Sequence, residues 1–377
     1  MKAKKNFIAA LVLVGLAPQV AALAADGVPP GKAPSLSDVL SASGDLHASG
    51  DLGVTYTKFN TDATGLRAFD NNPSGFTFNQ LGLDVTDLPA SGAGAAVSMY
   101  AGEDGRTLRQ AESWPYNKTA APFDLYTAYG QYSWGKYTIM GGKLPTLAGV
   151  ESVDLALNST ISRSLLFWDM QPGSHVGLRF SAGLSRGLTL YAGLNNGWNF
   201  TNSPAGVGQT AELGVSGAAG RAISYSGTLY TGSSPLFGEN SNGRLSLLDG
   251  VLNYQVNPRL ALTVNLDYLR KASYLGAGSG EANAKGAAVY VSWRQTPKLT
   301  LVTRLERIVD AQGIVSGILG VPNTLDEGTL AATYQLTGRV RLAGEYRVDS
   351  SGSSVFFEGG GVVGVQRSFE LSGTYSF

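Results

Sequence analysis

The sequence predicts an all-β fold: a transmembrane antiparallel up-and-down β-barrel of about 16 strands, with long extracellular loops and short periplasmic turns. Three observations carry this. The last ten residues alternate strictly, with Phe369, Leu371, Gly373, Tyr375 and Phe377 on one face and Ser368, Glu370, Ser372, Thr374 and Ser376 on the other. A strand alternates in this way when its faces meet different solvents, as lipid and a water-filled lumen do. Such segments recur along the chain, separated by gaps that are alternately long and short. The composition agrees, with 50 glycines, 17 tyrosines, only 15% charged residues and no cysteine. A closed ladder of backbone hydrogen bonds has no edges and needs no disulfide.

The chain opens with Lys2, Lys4 and Lys5, an apolar run from Phe7 to Leu16, and the small-x-small site Ala22-Leu23-Ala24. These are the parts of a secretory signal peptide, residues 1–24, which is too short for an anchor. Residues 25–43 hold Pro29, Pro30 and Pro34 and read as a flexible lead-in, leaving 44–377 for the barrel. Losing three lysines and no acid brings the formal charge to 25 − 28 = −3. That balance argues against nucleic acid as a partner, because its binding proteins are usually basic.

The first strand runs near Asp45–Lys58, with Leu52, Val54 and Tyr56 outward. A long gap leads to the second near Phe76–Thr86, and the tight Leu88–Gly92 turn to the third near Gly94–Gly102. A second long gap holds Trp114-Pro115-Tyr116. The later strands follow in pairs joined by short turns: Asp124–Tyr132 with Tyr137–Lys143, His175–Leu184 with Leu188–Asn195, and Gln209–Gly217 with Ala222–Tyr230. Leu247–Val256 pairs with Leu260–Arg270, Lys285–Arg294 with Leu299–Val309, and Thr329–Leu336 with Val340–Asp349, before the terminal strand. Even strand number with one short-turn rim is the membrane-barrel pattern. Aromatic residues sit near both ends of the outward faces: Tyr132, Tyr254, Trp293, Tyr334 and Tyr375 at one rim, Tyr56, Tyr268 and Tyr346 at the other. Membrane barrels place them there, where the apolar band meets head groups. A terminal Phe377 preceded by Tyr375 resembles the closing-strand signal of bacterial outer-membrane proteins.

The opposite faces are wet. They offer His175, Arg179 and Ser181; Thr263, Asn265 and Asp267; Thr300, Arg304 and Glu306; and Arg341, Glu345 and Arg347. A charge facing lipid at mid-bilayer costs about 2–4 kcal/mol, so these belong to the lumen. Barrels of eight strands fill with side chains, whereas 16-stranded ones leave a channel. The third long gap, near 144–174, is apolar for a loop, with Leu155, Leu157, Leu165, Leu166, Phe167 and Trp168. Residues of that kind seek burial, so the gap is expected to fold inward. It would carry Glu151, Asp154, Arg163 and Asp169 to face Arg304, Arg341 and Arg347 across a constriction.

One stretch has a family look. Ala148-Gly149-Val150-Glu151, Asn158, Ile161-Ser162-Arg163-Ser164, Pro172, His175-Val176-Gly177 and Asn195-Asn196-Gly197-Trp198-Asn199 resemble the signature of OmpL-like outer-membrane β-barrel porins. The resemblance is specific over residues 141–199; elsewhere only the barrel pattern matches. It implies an exported channel in a Gram-negative-type outer membrane, passively admitting small hydrophilic solutes and ions. Its partners would be the bilayer, the barrel assembly machinery during biogenesis and, compatibly with the fold, further copies of itself. It supplies no catalytic residue.

Three other readings stay open. A substrate-selective channel and a sealed structural or adhesin barrel share the fold, and conductance separates them. A barrel enzyme is least favoured, because His47 and His175 are the only histidines and no motif gives either a nucleophile. No cofactor or metal motif is present: Gly359-Gly360-Gly361 lacks the strand-loop-helix setting of a phosphate site, and no acidic run has calcium-ligand spacing.

Overall fold

Sixteen long strands close into one antiparallel barrel in the computed structural model, which describes residues 46–377 except 71, 114–120, 186, 202–207, 234–242 and 276–277. The expected signal peptide, the lead-in, Trp114-Pro115-Tyr116 and Arg186 lie outside the described residues. In chain order the strands are β1 (His47–Phe59), β2 (Ser74–Asp87), β3 (Gly92–Ala101), β4 (Phe123–Trp134), β5 (Tyr137–Pro145), β6 (Ser174–Ser185), β7 (Leu188–Asn195) and β8 (Thr210–Ala219). They continue with β9 (Ile223–Ser233), β10 (Arg244–Asn257), β11 (Leu260–Ala272), β12 (Glu281–Arg294), β13 (Leu299–Asp310), β14 (Asn323–Gln335) and β15 (Val340–Ser351). A small hairpin, β16 (Phe356–Glu358) and β17 (Gly361–Val363), stands in the last long loop before β18 (Val365–Ser376). Each barrel strand pairs with its neighbours in sequence, and β1 pairs with β18.

Every strand follows from alternation. Outward residues such as Leu305, Leu330 and Phe369 stay exposed, while inward Glu306, Thr329 and Ser368 are buried. Exposure on the outer wall is what a hydrocarbon solvent requires.

The seam shows why the terminus matters. Leu52 lies opposite Tyr375, Asp51 opposite Ser376. The Gly50 N–H donates to the Phe377 carbonyl (3.0 Å), and the Phe377 N–H donates to the Gly50 carbonyl (2.9 Å). The Phe377 ring covers Gly50 so closely that a Cβ there would meet it at 2.7 Å. Only glycine fits that closure.

Two elements escape the strand reading. The second long gap contains a helix, α1 (Glu103–Ser113), lying over β2, β3 and β4. Acidic Glu103 and Asp104 occupy its first turn; the helix dipole favours the half-exposed Glu103 there, whereas Asp104 is buried. The β16–β17 hairpin uses Gly359 and Gly360, both at positive φ, to turn.

Candidate functional site: the lumen and its inward loop

The segment between β5 and β6 crosses the barrel interior. A backbone bond from the Thr146 N–H to the Gly173 carbonyl (3.0 Å) closes its neck. The Leu147 N–H donates to the Tyr230 hydroxyl on β9 (2.8 Å). From there the loop is sewn to the opposite wall by groups of both signs. Glu345 of β15 accepts from the Ile161 N–H (2.6 Å) and from Ser162. Glu306 of β13 accepts from the N–H groups of Leu165 (2.9 Å) and Leu166 (2.5 Å). Arg341 donates to the carbonyls of Leu155 and Asn158, both at 2.6 Å. Arg347 donates to the Arg163 carbonyl at 2.6 Å. A buried backbone group without a partner is costly, and here wall side chains supply what a helix or sheet would.

Arg304 is the hub. Wholly buried on β13, it pairs with Glu327 of β14 (3.0 Å) and with Glu151 of the loop (2.8 Å). It also donates to the Ser162 carbonyl (2.9 Å) and the Thr160 hydroxyl (3.1 Å). Glu151 in turn accepts from the Ser164 N–H at 2.6 Å. The carboxylate and guanidinium are therefore in contact rather than opposed across an opening.

Arg163 folds back into its own loop. It donates to the carbonyls of Ser152 (3.1 Å) and Ile161 (2.9 Å) and stacks on Phe69, 4.9 Å from the ring centroid. Asp154 caps the 3-10 turn Leu155–Leu157 through the Ala156 N–H (2.7 Å) and lies beside Gln80 and Asp51. Burial pushes its carboxyl above the usual range. Asp169 is buried near Glu306, and burial pushes it higher still. The structure thus brings Glu151, Arg163, Asp169, Arg304, Glu306, Glu345 and Arg347 together. Asp154 and Arg341 sit at the Leu155–Leu157 turn instead, and two candidates stand apart altogether. Arg179 on β6 forks onto Glu212 of β8 (2.5 and 2.9 Å) beside His175. Asp267 accepts from Gln171 (2.7 Å) opposite Asp249.

The apolar loop residues behave as expected with one correction. Leu155, Leu165 and Leu166 are buried and Phe167 and Trp168 half-buried, but Leu157 is 46% exposed. A three-residue 3-10 turn sends Leu155 and Leu157 to different sides, and only the first meets the wall.

Sequence reasoning missed a second inward loop. Arg67, from the β1–β2 connection, binds Asp349 of β15 (2.8 Å), Ser368 (2.7 Å) and Glu370 (3.1 Å) of β18. Phe69, two residues on, packs against Phe167 and Trp168. The available signal was the excess of inward acid on this wall: Asp349 already shares Arg347, two residues before it, and Glu370 is inward with no basic residue at an inward position of its own strand.

The motif stretch now has physical reasons. Asn158 clamps the loop turn, donating to the carbonyls of Ser152 (2.7 Å) and Asp154 (2.8 Å). Gly149, at φ 83°, has Gln171 where a Cβ would be. Asn199, at φ 56°, accepts from the N–H groups of Gly173 (2.8 Å) and Ser174 (3.1 Å). Its residues build the crossing loop rather than a reacting centre.

The family model described as "Putative beta-barrel porin-2, OmpL-like" matches residues 45–377. The chain belongs to that family. As a member of an OmpL-like porin family it is an outer-membrane barrel, and family and fold point to a channel rather than an enzyme. No curated protein matches the chain. Among solved structures it is similar to the trimer form of OmpT from Vibrio cholerae, with 11% identity and a TM-score of 0.61 over 88% of this chain and 99% of that one. The anion-selective porin of Comamonas acidovorans gives 13% and 0.61, covering 88% and 99%. The DcaP channel of Acinetobacter baumannii gives 13% and 0.59, covering 88% and 97%. At these identities the likeness is one of fold.

Proposed function

We propose that this OmpL-like porin admits small hydrophilic solutes and ions by passive diffusion past its inward loop. The observation that carries the reading is a closed 16-stranded barrel, apolar outside and polar inside, with one connecting segment bonded across the interior. The free route lies beside that segment. On β3 to β5 the inward residues Ser98, Tyr129, Gln131, Thr138 and Met140 are only half-buried and carry no charge. Pore radius and the field from fixed charges would then set what passes.

The constriction is assigned to Glu151, Asp154, Arg163, Asp169, Arg304, Glu306, Arg341, Glu345 and Arg347, with Arg179 and Asp267 on the flanking wall. Among the described residues sixteen carboxyl side chains are buried against six lysines and arginines. Where those carboxylates are ionised the excess favours cations, since a low-dielectric wall focuses its field into the lumen. Recording the purified protein in planar bilayers tests the reading. Discrete conductance with a cation-directed reversal potential is expected, and a barrel passing no current would make it a sealed structural protein. Substituting Glu151→Gln with Asp154→Asn should move the reversal potential toward anions, less so at high salt.

The remaining parts of the proposal concern biogenesis and orientation. Residues 1–24 act as a cleaved export signal, 25–43 as a lead-in, and Tyr375 with Phe377 as the signal read by the barrel assembly machinery. Deleting Phe377 should abolish most heat-modifiable barrel in the membrane. Long loops lie outside the cell, so a tag after Gly352 should be labelled on intact cells and one within 257–259 should not. Since OmpT has a trimer form, a homo-oligomer is the state to test by crosslinking.

A further inference from the structure

The short-turn rim carries a feature that the channel does not use. The turns after β4, β8, β10, β12 and β14 each present one exposed cation: Lys136, Arg221, Arg259, Lys298 and Arg339. None of those five turns contains an aspartate or glutamate. At the opposite rim two exposed outer-wall cations are neutralised within the chain, Arg270 by Glu281 and Arg307 by Asp326 (2.6 Å), and others there, among them Lys58, Lys285 and Arg367, stand on strands rather than in turns. Among the described residues no carboxylate pairs with the five.

Their direction adds a second observation. Lys136 Nζ lies over the Tyr137 ring (5.3 Å), which stacks on the outward Phe180. Lys298 Nζ lies over the outward Tyr334 (6.0 Å), and Arg339 donates to the hydroxyl of the outward Tyr375 (3.4 Å). These cations bend onto the lipid-facing aromatic belt, not into the lumen. Where consecutive hairpins carry them, neighbouring cations are two strands apart, about 10 Å. One small anion cannot bridge that distance, whereas a row of separate phosphates can meet it.

We propose that this rim binds the phosphate groups of phospholipids in the adjoining leaflet and so seats the barrel at a fixed depth. Aromatic rings hold the glycerol level and the cations hold the charge below it. The inference needs the barrel to sit in a bilayer but not to conduct, so its test is separate from the channel reading.

The test is lipid retention. Purified protein is reconstituted in nanodiscs of equimolar phosphatidylglycerol and phosphatidylcholine, transferred to mild detergent, and its bound lipids counted by native mass spectrometry. Phosphatidylglycerol should be enriched about fivefold or more. The variant K136Q/R221Q/R259Q/K298Q/R339Q should fall to parity, while R270Q/R307Q at the other rim should retain the enrichment. Each turn variant made singly should lose part of it, which keeps the proposal testable if the fivefold variant fails to form a heat-modifiable barrel. Parity in the parent, or undiminished enrichment in the rim variants, would overturn the proposal. So would pelleting with insoluble peptidoglycan in the absence of any lipid preference, which would reassign the rim to the cell wall.

Discussion

The two sides of the lumen are built from different chemistry. On β13, β14, β15 and β18 the inward rows carry Arg304, Glu306, Glu327, Glu345, Arg347, Asp349 and Glu370, all buried and bonded to one another or to an inward loop. On β3, β4 and β5 they carry Ser98, Tyr129, Gln131, Thr138 and Met140, half-buried and uncharged, with a charged pair, Asp124 and Lys143 (3.4 Å), toward the long-loop end. The charged wall spends its charges on holding a loop, and the neutral wall leaves room beside it. A charged inward row in a barrel is therefore a place for structure as readily as for solute.

The largest effect should come from removing the hub. Arg304→Met leaves Glu151 and Glu327 without their shared cation in a buried setting, and breaking one partner of such a pair costs about 3–5 kcal/mol. A lower urea midpoint for barrel unfolding, with a raised and noisier single-channel current, is expected. Unchanged values in both would mean that Arg304 is not the keystone of that wall.

A pH effect should appear above the neutral wall. Asp104, at the start of α1, is fully buried, with Asn79 3.4 Å from one oxygen and no partner at the other. Burial pushes its carboxyl up to about 7 from 3.8. A folded-state value above the unfolded one means that the folded form binds the proton more tightly. The helix is then held best in acid and loosens as pH rises from about 4 to about 7, with no further change above. Amide exchange in α1, corrected for intrinsic rate, should show more opening at pH 8 than at pH 5. Asp104→Asn should flatten that difference.

Loosening the loop without removing a charge pair should do less. Glu345→Gln and Glu306→Gln each keep shape but replace an acceptor oxygen with a donor facing backbone N–H groups, at about 1–3 kcal/mol apiece. Conductance should rise in the double variant with a smaller loss of stability than in R304M.

Much of this was legible in the sequence. All sixteen barrel strands overlap the segments that period-two alternation marks, because lipid and water sort every second side chain regardless of its partners, although β14 begins at Asn323 rather than Thr329 and β12 at Glu281 rather than Lys285. The inward path of the third loop was legible in Leu155, Leu165 and Leu166, which have no business in bulk water. Contacts were not. Nothing in the spacing of Glu345 announces that it accepts from the backbone of Ile161, 184 residues away. Helix α1 was hidden because its sequence, EDGRTLRQAES, is polar and holds one buried leucine, Leu108. Arg67 was hidden because a lone arginine in a loop looks like any solvated charge until Asp349 and Glu370 are placed around it.

The finest test asks whether solute runs along the neutral wall at all. Met140 on β5 faces the lumen between outward Ile139 and Gly141, and the structure gives its side chain no hydrogen bond to lose. Replacing it with Lys or with Glu should shift stability within about 0.5 kcal/mol, as substitutions away from packed networks do. The two variants put opposite charges at one point of the proposed route. If ions pass there, Met140→Lys moves the reversal potential toward anions and Met140→Glu toward cations. The split should narrow as salt rises and the Debye length falls from about 10 Å at 0.1 M to about 3 Å at 1 M. The same pair of substitutions at Ala343, buried on the charged wall against Leu155 and Ile161, should instead impair folding. Equal reversal potentials for the two Met140 variants would mean that the passage lies elsewhere, and the neutral wall would then be only the side on which the loop happens not to bind.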